Sequence, residues 1–181
     1  MYCKCRKGDN YQVIGLCDAG AKTITEEASW VQITVPEILQ LPECYPDIEE
    51  IERIYVNVVI ESSRVVETPS TEVPNEECDK ITGYKLIVDG SICQTVLYTA
   101  DNCEQSVHSI NFKFPFCTGI VLNEEPIPGQ MPLDVNYYVE SCIEDVYAKV
   151  LNAKTIFKNV TLFLQAIAIT GDECCPEEEE G

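Results

Sequence analysis

Apolar and polar side chains alternate along most of the chain that follows residue 28. A period of two is typical of a strand with one buried face and one solvated face. The alternation is most regular in residues 109–122 and also runs through residues 53–66. The apolar residues that share a face are Ile54, Val56, Val58 and Ile60 in the earlier run, and Ile110, Phe112, Phe114 and Phe116 in the later one. We predict that both faces belong to the core.

The pattern also predicts strands in four further segments, at residues 28–35, 81–99, 134–150 and 155–169. Turn signals rich in Pro, Gly, Asn and Asp separate them, and no long amphipathic helix pattern occurs. Roughly seven to nine strands follow from this pattern. The sequence therefore predicts an all-β fold, an antiparallel β-sandwich or a jelly-roll.

Three local details carry their own expectations. Trp30 is expected to anchor the first strand, and Pro36 either ends that strand or places it at a sheet edge. Residues 47–51 are expected to form one helical turn with acidic residues near its start. Asp89 and Gly90 indicate either a tight hairpin or one long strand with a bulge.

The two ends of the chain lack this alternation. At 181 residues the chain is expected to form one domain. We predict a β-sandwich domain over residues 28–170 and a flexible, cysteine-bearing connector arm at residues 1–27. Residues 171–181, with the sequence GDECCPEEEEG, form an acidic, cysteine-bearing tail that is too polar to pack.

Charge narrows the range of partners. The chain carries 12 basic and 31 acidic residues, for a net charge of -19. Nucleic acid and anionic membrane surfaces are therefore disfavoured as partners, because like charges repel. No apolar run is long enough for a transmembrane helix, so we expect no membrane insertion.

Cysteine usage points to an oxidising destination. The chain contains 11 cysteines, which is unusual for a protein that stays inside a reducing cell. The first residues nevertheless have no long apolar run, so we expect no secretory signal peptide. These expectations agree if the protein is made in a cytosol and meets oxidant later.

The positions of the cysteines suggest cross-linking. Cys3 and Cys5 flank Lys4, and positive charge close to a thiol favours the reactive thiolate. Thiols on arms and loops can reach another chain, although intramolecular disulfides remain an equal alternative for those in the body. The candidates for intermolecular disulfides are Cys3, Cys5, Cys44, Cys174 and Cys175. The cysteines expected near the surface in strands or loops are Cys17, Cys78, Cys93, Cys103, Cys117 and Cys142.

Signals for catalysis or a cofactor are weak. His108 is the one histidine, and it is expected at the start of a strand without a catalytic role. No phosphate-binding loop, nucleophile elbow or dinucleotide motif occurs. Zinc on Cys3, Cys5, Cys174 and Cys175 is an alternative, but adjacent cysteines suit tetrahedral chelation poorly. We expect no enzyme activity, no metal and no cofactor.

Several ordered motifs between residues 31 and 168 together carry a family resemblance. They are Val35-Pro36-Glu37, Leu41-Pro42-Glu43, Pro46-Asp47-Ile48-Glu49, the run from Gly83 to Gly90, Tyr98-Thr99-Ala100-Asp101, Gln105-Ser106-Val107-His108, Phe114-Pro115-Phe116 and Ile120-Val121-Leu122. With these motifs the chain resembles the spore coat and cell surface (SPOCS) domain of endospore-forming bacteria. In architecture, a single β-domain with thiol-bearing arms is also similar to the subunits of disulfide-linked endospore appendage fibres.

The resemblance implies a non-catalytic, β-rich protein of the spore envelope. Synthesis in the mother-cell cytosol would need no signal peptide, and its cysteines would oxidise after assembly or lysis. The expected function is a self-assembling subunit of a spore-surface polymer, a fibre or coat layer, whose partners are itself and other coat proteins. The alternatives are an adaptor that binds a coat morphogenetic protein without polymerising, and a cysteine-rich zinc or redox protein.

Overall fold

The computed structural model describes residues 11–18, 28–70 and 82–169. Seven strands and one short 3-10 helix make up this part of the chain. The strands are β1 (Gln12–Ile14), β2 (Ser29–Gln40), β3 (Ile48–Ser70), β4 (Thr82–Ala100), β5 (Val107–Val121), β6 (Asn136–Asn152) and β7 (Thr155–Ile169), and the 3-10 helix is Pro132–Asp134. No helix among these residues is long and apolar enough to cross a bilayer.

The strands form two sheets that pack face to face. Sheet A has the order β1-β3-β4-β5, and sheet B has the order β2-β7-β6. Strands β3, β4 and β5 form an antiparallel meander, β6 and β7 form a hairpin, and β1 pairs parallel to β3. The prediction of an all-β sandwich is confirmed, whereas the jelly-roll form of it is not.

One hydrophobic core fills the space between the sheets. The predicted inward faces are correct: Ile54 and Val56 on β3, and Ile110 and Phe116 on β5, are all buried. Leu162 and Leu164 on β7 meet them from sheet B. Because the side chains named on each strand are separated by an even number of residues, period two alone identified them.

At three of the positions with local expectations, the structure has a long strand. Residues 47–51 were expected to be helical, and this is wrong because Ile48 already begins β3. β2 continues through Pro36 and is an end strand of sheet B, which is where a residue without an N–H is tolerated. At Gly90 the chain is one long strand, and the bulge lies opposite it at Glu61 of β3. A Cβ on Gly90 would overlap the ring of Phe116.

Trp30 does not anchor the core. Its side chain is 48% exposed and lies on the outer face of sheet B, where it stacks on Phe163 with ring centroids 5.7 Å apart. Alternation along β2 places Val31, Val35 and Leu39 inward instead.

Residues 11–18 of the predicted connector arm belong to the folded body. β1 lies against the edge of β3, with Val13 buried. The Ala148 N–H on β6 donates a 2.7 Å hydrogen bond to the Tyr11 hydroxyl, and the Cys17 N–H donates a 3.0 Å bond to the Ile143 carbonyl. We call residues 11–18 the N-terminal strap, because they join sheet A to sheet B. Three residues of strand are too few for a periodic signal.

Three polar side chains lie inside the sandwich. Glu37 on β2 is the cross-strand neighbour of Lys158 on β7, and both side chains are fully buried. Gln94 on β4 reaches across from sheet A, and its Nε2 donates a 2.6 Å hydrogen bond to Glu37 Oε2. Lys158 Nζ lies 3.4 Å from the same oxygen. We call these residues the buried triad; it joins the two sheets by a polar contact through the core.

A prediction concerns the turn after β1. Gly15 has a φ of 115°, and a Cβ there would overlap the carbonyl oxygen of Val56. Gly129 also has a positive φ, of 77°, but a Cβ there meets nothing within 4 Å. We expect Gly15→Ala to lower the free energy of unfolding by about 3 kcal/mol, since it combines backbone strain with a clash. Gly129→Ala carries the backbone strain alone, about 1 kcal/mol.

Denaturant unfolding of the two variants under the same conditions measures the difference. Equal destabilisation by both would show that the strap does not pack closely on β3.

Candidate functional site

Cys17 and Cys142 form an intramolecular disulfide between the strap and β6. Their Cα atoms are 5.6 Å apart, and the bond closes a sequence separation of 125 residues. Cys142 points to the outer face of sheet B, as the alternation along its strand indicates. It was expected near the surface, and this is wrong because it is 8% exposed. The strap covers it, and no pattern within β6 could have indicated that.

Two exposed thiols lie at one end of the sandwich, where β2, β4 and β6 end. Cys44 lies in the turn between β2 and β3, and Cys103 lies in the turn between β4 and β5. The Asp101 N–H donates a 2.9 Å hydrogen bond to the Asp47 carbonyl and so joins the two turns. We call this surface the thiol end. β1 runs parallel to β3, which starts here, so β1 runs away from the thiol end.

Lys154, in the turn between β6 and β7, holds the Cys44 turn in place. Its Nζ lies 3.0 Å from Asp47 Oδ1 and donates to the Tyr45 carbonyl. The Leu41 N–H donates a 2.8 Å hydrogen bond to the Lys154 carbonyl. Cys44 is therefore presented on a turn that is fixed at both ends.

The outer face of sheet A carries two more thiols in different surroundings. Cys93 is half-buried between its cross-strand neighbours Asn57 and Lys113, in an open groove of about 570 Å³. Cys117 is exposed and faces Asp89 across the strands. Its thiol hydrogen-bonds to the Asp89 carboxylate, which raises the pKa of Cys117 above its usual value. Cys117 is thereby kept in the less reactive thiol form.

The bulge in β3 organises the charges beside this groove. Glu61 is its extra residue, and its Oε1 accepts a 2.7 Å hydrogen bond from Ser91 and pairs with Lys113 Nζ at 2.8 Å. The hydrogen bond and charge of Lys113 lower the pKa of Glu61, and the same contact raises the pKa of Lys113. Both side chains are largely exposed, so this pair orders the surface more than it stabilises the fold.

The outer face of sheet B is unusually apolar. Six large hydrophobic side chains on it are at least 40% exposed: Trp30, Ile38, Tyr138, Tyr147, Ile167 and Ile169. Buried Phe163 lies among them. The strand register places Trp30, Tyr138, Ile167 and Ile169 toward one end of the face, and Ile38 and Tyr147 toward the other. Clusters of exposed apolar side chains are typical of a protein contact. The alternating residues Trp30 and Ile38 could have indicated this face from the sequence, but strand patterns are usually searched for the core face alone.

Other predicted residues are not brought together. Cys3, Cys5, Cys78, Cys174 and Cys175 lie outside the described residues. His108 lies 2.9 Å from the Ser106 hydroxyl and stacks on Tyr98. In the part of the chain that the structure describes, no group of three or more His, Cys, Asp or Glu residues is placed to hold a metal ion.

Comparison with protein families gives one match. The model of the family described as "SipL, SPOCS domain" matches residues 47–151, more than half of the chain. The chain belongs to this SPOCS family. The match runs from the start of β3 to the end of β6, so the SPOCS region comprises the meander of sheet A and the first strand of the β6–β7 hairpin.

The resemblance to the SPOCS domain is confirmed, whereas the likeness to appendage fibre subunits is not. The first motifs assigned to that resemblance, Val35-Pro36-Glu37 and Leu41-Pro42-Glu43, precede the matched SPOCS region. Comparison with curated proteins and with solved structures gives no match.

Sequence reasoning missed the buried triad of this SPOCS protein. Lys158 lies two residues before Val160 and four before Leu162, on the face that the pattern assigns to the core. Glu37 lies between Val35 and Leu39 on the buried face of β2. Extending both alternations by one step would have placed opposite charges in the interior.

A prediction follows for the disulfide of the strap. The Cys17→Ser/Cys142→Ser double variant should lose about 4 kcal/mol of unfolding free energy, because the bond closes a very long loop. The matched control is Cys93→Ser/Cys117→Ser, which removes two thiols that are unpaired among the described residues. That control should change stability by less than about 0.5 kcal/mol.

Denaturant unfolding with and without reductant provides the measurement. Reductant should lower the stability of the wild type and of the control, and should leave the Cys17→Ser/Cys142→Ser variant unchanged. A wild type that is insensitive to reductant would contradict the pairing.

Proposed function

We propose that this SPOCS protein is a structural, non-catalytic subunit of a spore-surface polymer, a fibre or coat layer, joined by disulfides between copies. Membership of the SPOCS family supports a spore-related role. We further propose that it is made in the mother-cell cytosol and locates to the coat or spore surface, where its thiols meet oxidant. Its partners would be other copies of itself and other coat proteins.

The observation that carries the proposal is the thiol end. Cys44 and Cys103 are exposed, and neither has a disulfide partner among the described residues. Lys154 and Asp47 hold the Cys44 turn in a fixed position, so little conformational entropy is lost when it forms a bond with another chain. We infer that Cys3 and Cys5 of one copy react with thiols at this end of a neighbour.

Non-covalent contacts are also available. The apolar outer face of sheet B offers aromatic and aliphatic surface of the kind that is enriched at interface cores. β2 and β5 are end strands, and end strands present backbone groups that can pair with another chain. Such contacts would bring subunits together before any thiol is oxidised.

A second candidate function is an adaptor that docks on a coat morphogenetic protein without polymerising. The apolar outer face of sheet B favours it, since a single apolar face suits a single partner. Docking of the adaptor on its partner requires no disulfide bond between the two chains. The two functions therefore differ in how they depend on cysteine.

A prediction tests the polymer. Purified full-length protein kept without reductant should form large species on a non-reducing gel and ordered assemblies in electron micrographs, and both should collapse with reductant. The Cys44→Ser/Cys103→Ser variant should lose most of the covalent ladder. The matched control, Cys117→Ser, removes an exposed thiol that Asp89 keeps protonated, and it should retain the ladder. A monomer under both redox conditions would contradict the proposal.

A separate prediction distinguishes polymer from adaptor. Deleting residues 1–10 removes Cys3 and Cys5 but keeps β1 and the strap disulfide. If the protein forms the proposed polymer, this deletion should abolish covalent assembly and leave the midpoint of denaturant unfolding unchanged. If the deletion variant assembles as the full chain does, Cys3 and Cys5 are not the connectors. Capture of a coat protein by a monomeric full-length chain would favour the adaptor.

A further inference from the structure

The buried triad leaves three buried polar atoms without a hydrogen bond. Glu37 Oε1, Gln94 Oε1 and Lys158 Nζ make no hydrogen bond to any described residue, and all three are buried. Buried polar atoms are nearly always satisfied, so each exception needs an explanation. Two well-packed apolar residues would often stabilise the core at least as well as a buried ion pair.

The positions of the three side chains are those of a nucleophile, an amide and a proton carrier. Lys158 Nζ lies 3.4 Å from Glu37 Oε2, and Gln94 Nε2 donates to the same oxygen at 2.6 Å. One carboxylate oxygen therefore contacts both the amine and the nitrogen that an amide exchange would release. We propose that Lys158 and Gln94 join in an intramolecular isopeptide bond, with Glu37 carrying the proton between the two nitrogens.

The step balances without an oxidant, a reductant or any co-reactant. The lone pair of neutral Lys158 Nζ attacks the side-chain carbonyl carbon of Gln94 and forms a carbon–nitrogen bond. The bond from that carbon to Gln94 Nε2 breaks. One proton from Nζ passes through Glu37 to Nε2, which leaves as ammonia, and the product is a secondary amide between the two side chains. Starting from the ammonium form of lysine, the released nitrogen leaves as ammonium ion.

The surroundings supply what the reaction needs. Burial lowers the pKa of Lys158 to about 8, against the opposing charge of Glu37, so the neutral amine is accessible near physiological pH. The side chains of Lys158 and Glu37 have no exposed surface, which keeps water from competing for the amide. Strand pairing holds Glu37 beside Lys158, and the hydrogen bond from Gln94 to Glu37 holds the amide at the same carboxylate. Both reacting groups belong to one chain, so the reaction is unimolecular and gains the corresponding rate advantage.

The bond would join β4 of sheet A to β7 of sheet B through the middle of the core. It would be a covalent link between the sheets that reductant cannot open, in contrast to the disulfide of the strap. It forms within one chain and does not rest on the proposed polymer.

Mass spectrometry of the purified full-length protein tests the proposal. The protein is incubated folded at pH 8, then denatured with reductant. The intact mass should be lower than the sequence mass by one ammonia, and protease digestion should give a branched peptide that joins Gln94 to Lys158. Trypsin should no longer cleave after Lys158 in this species.

Two variants remove the chemistry, and a third is a matched control. Glu37→Gln keeps the size of the side chain and both reacting groups but cannot carry the proton, and we expect about a hundredfold less branched peptide. Lys158→Met should show none. Lys154→Met removes a different ion-paired lysine and should show the same mass loss as the wild type.

The wild-type result is enough to test whether the isopeptide bond forms, whether or not a variant folds. Its unmodified mass after incubation, with normal cleavage after Lys158, would overturn the proposal. Loss of ammonia in Lys158→Met would do the same, because it would assign the change to another residue. Equal yields of branched peptide in the wild type and Glu37→Gln would remove Glu37 from the mechanism.

Discussion

Burial of two opposite charges is the constraint on which the rest of this sandwich depends. Neither Glu37 nor Lys158 reaches solvent, and leaving either of them unpaired in the core would cost several kcal/mol. The two are directly opposite in the pairing of β2 with β7. A slip of one residue would turn one of them outward and leave the other buried without a partner. Gln94 extends the constraint to sheet A, so the same contact also sets how the two sheets lie over each other.

The N-terminal strap closes the side of the sandwich where β3 and β6 lie near each other. β1 pairs with the edge of β3, and the Cys17 N–H donates a hydrogen bond to the carbonyl of Ile143 on β6. One short segment therefore covers parts of two strand edges. Covering edges prevents unplanned pairing with other chains. Among the described residues, no further strand lies beside β2 or β5, the end strands on the other side. The molecule is therefore asymmetric in where it can accept a neighbouring strand.

The sequence predicts the strands well, because a buried face repeats every two residues and β3, β5 and β7 are long enough to show it. It fails where a feature depends on residues far apart in the chain. β1 has three residues, and Cys142 is buried only because the strap, more than a hundred residues earlier, folds over it. The acidic start of β3 mimics a helix N-terminus, since its exposed positions happen to be glutamates. Lys158 was not assigned to the core because charged residues are usually expected at the surface, although its position in the alternation is that of a core residue.

The parallel pairing of β1 with β3 has a mechanical consequence. A pull on the amino-terminal side that is directed along the axis of β1 loads the hydrogen bonds between β1 and β3 together in shear instead of peeling them apart one by one. If β1 slides free, the tension passes to the disulfide at Cys17, which anchors the chain to β6 before the load reaches β2. Extension from the amino-terminal side then stops after a few residues, and the core of the sandwich is not pulled open.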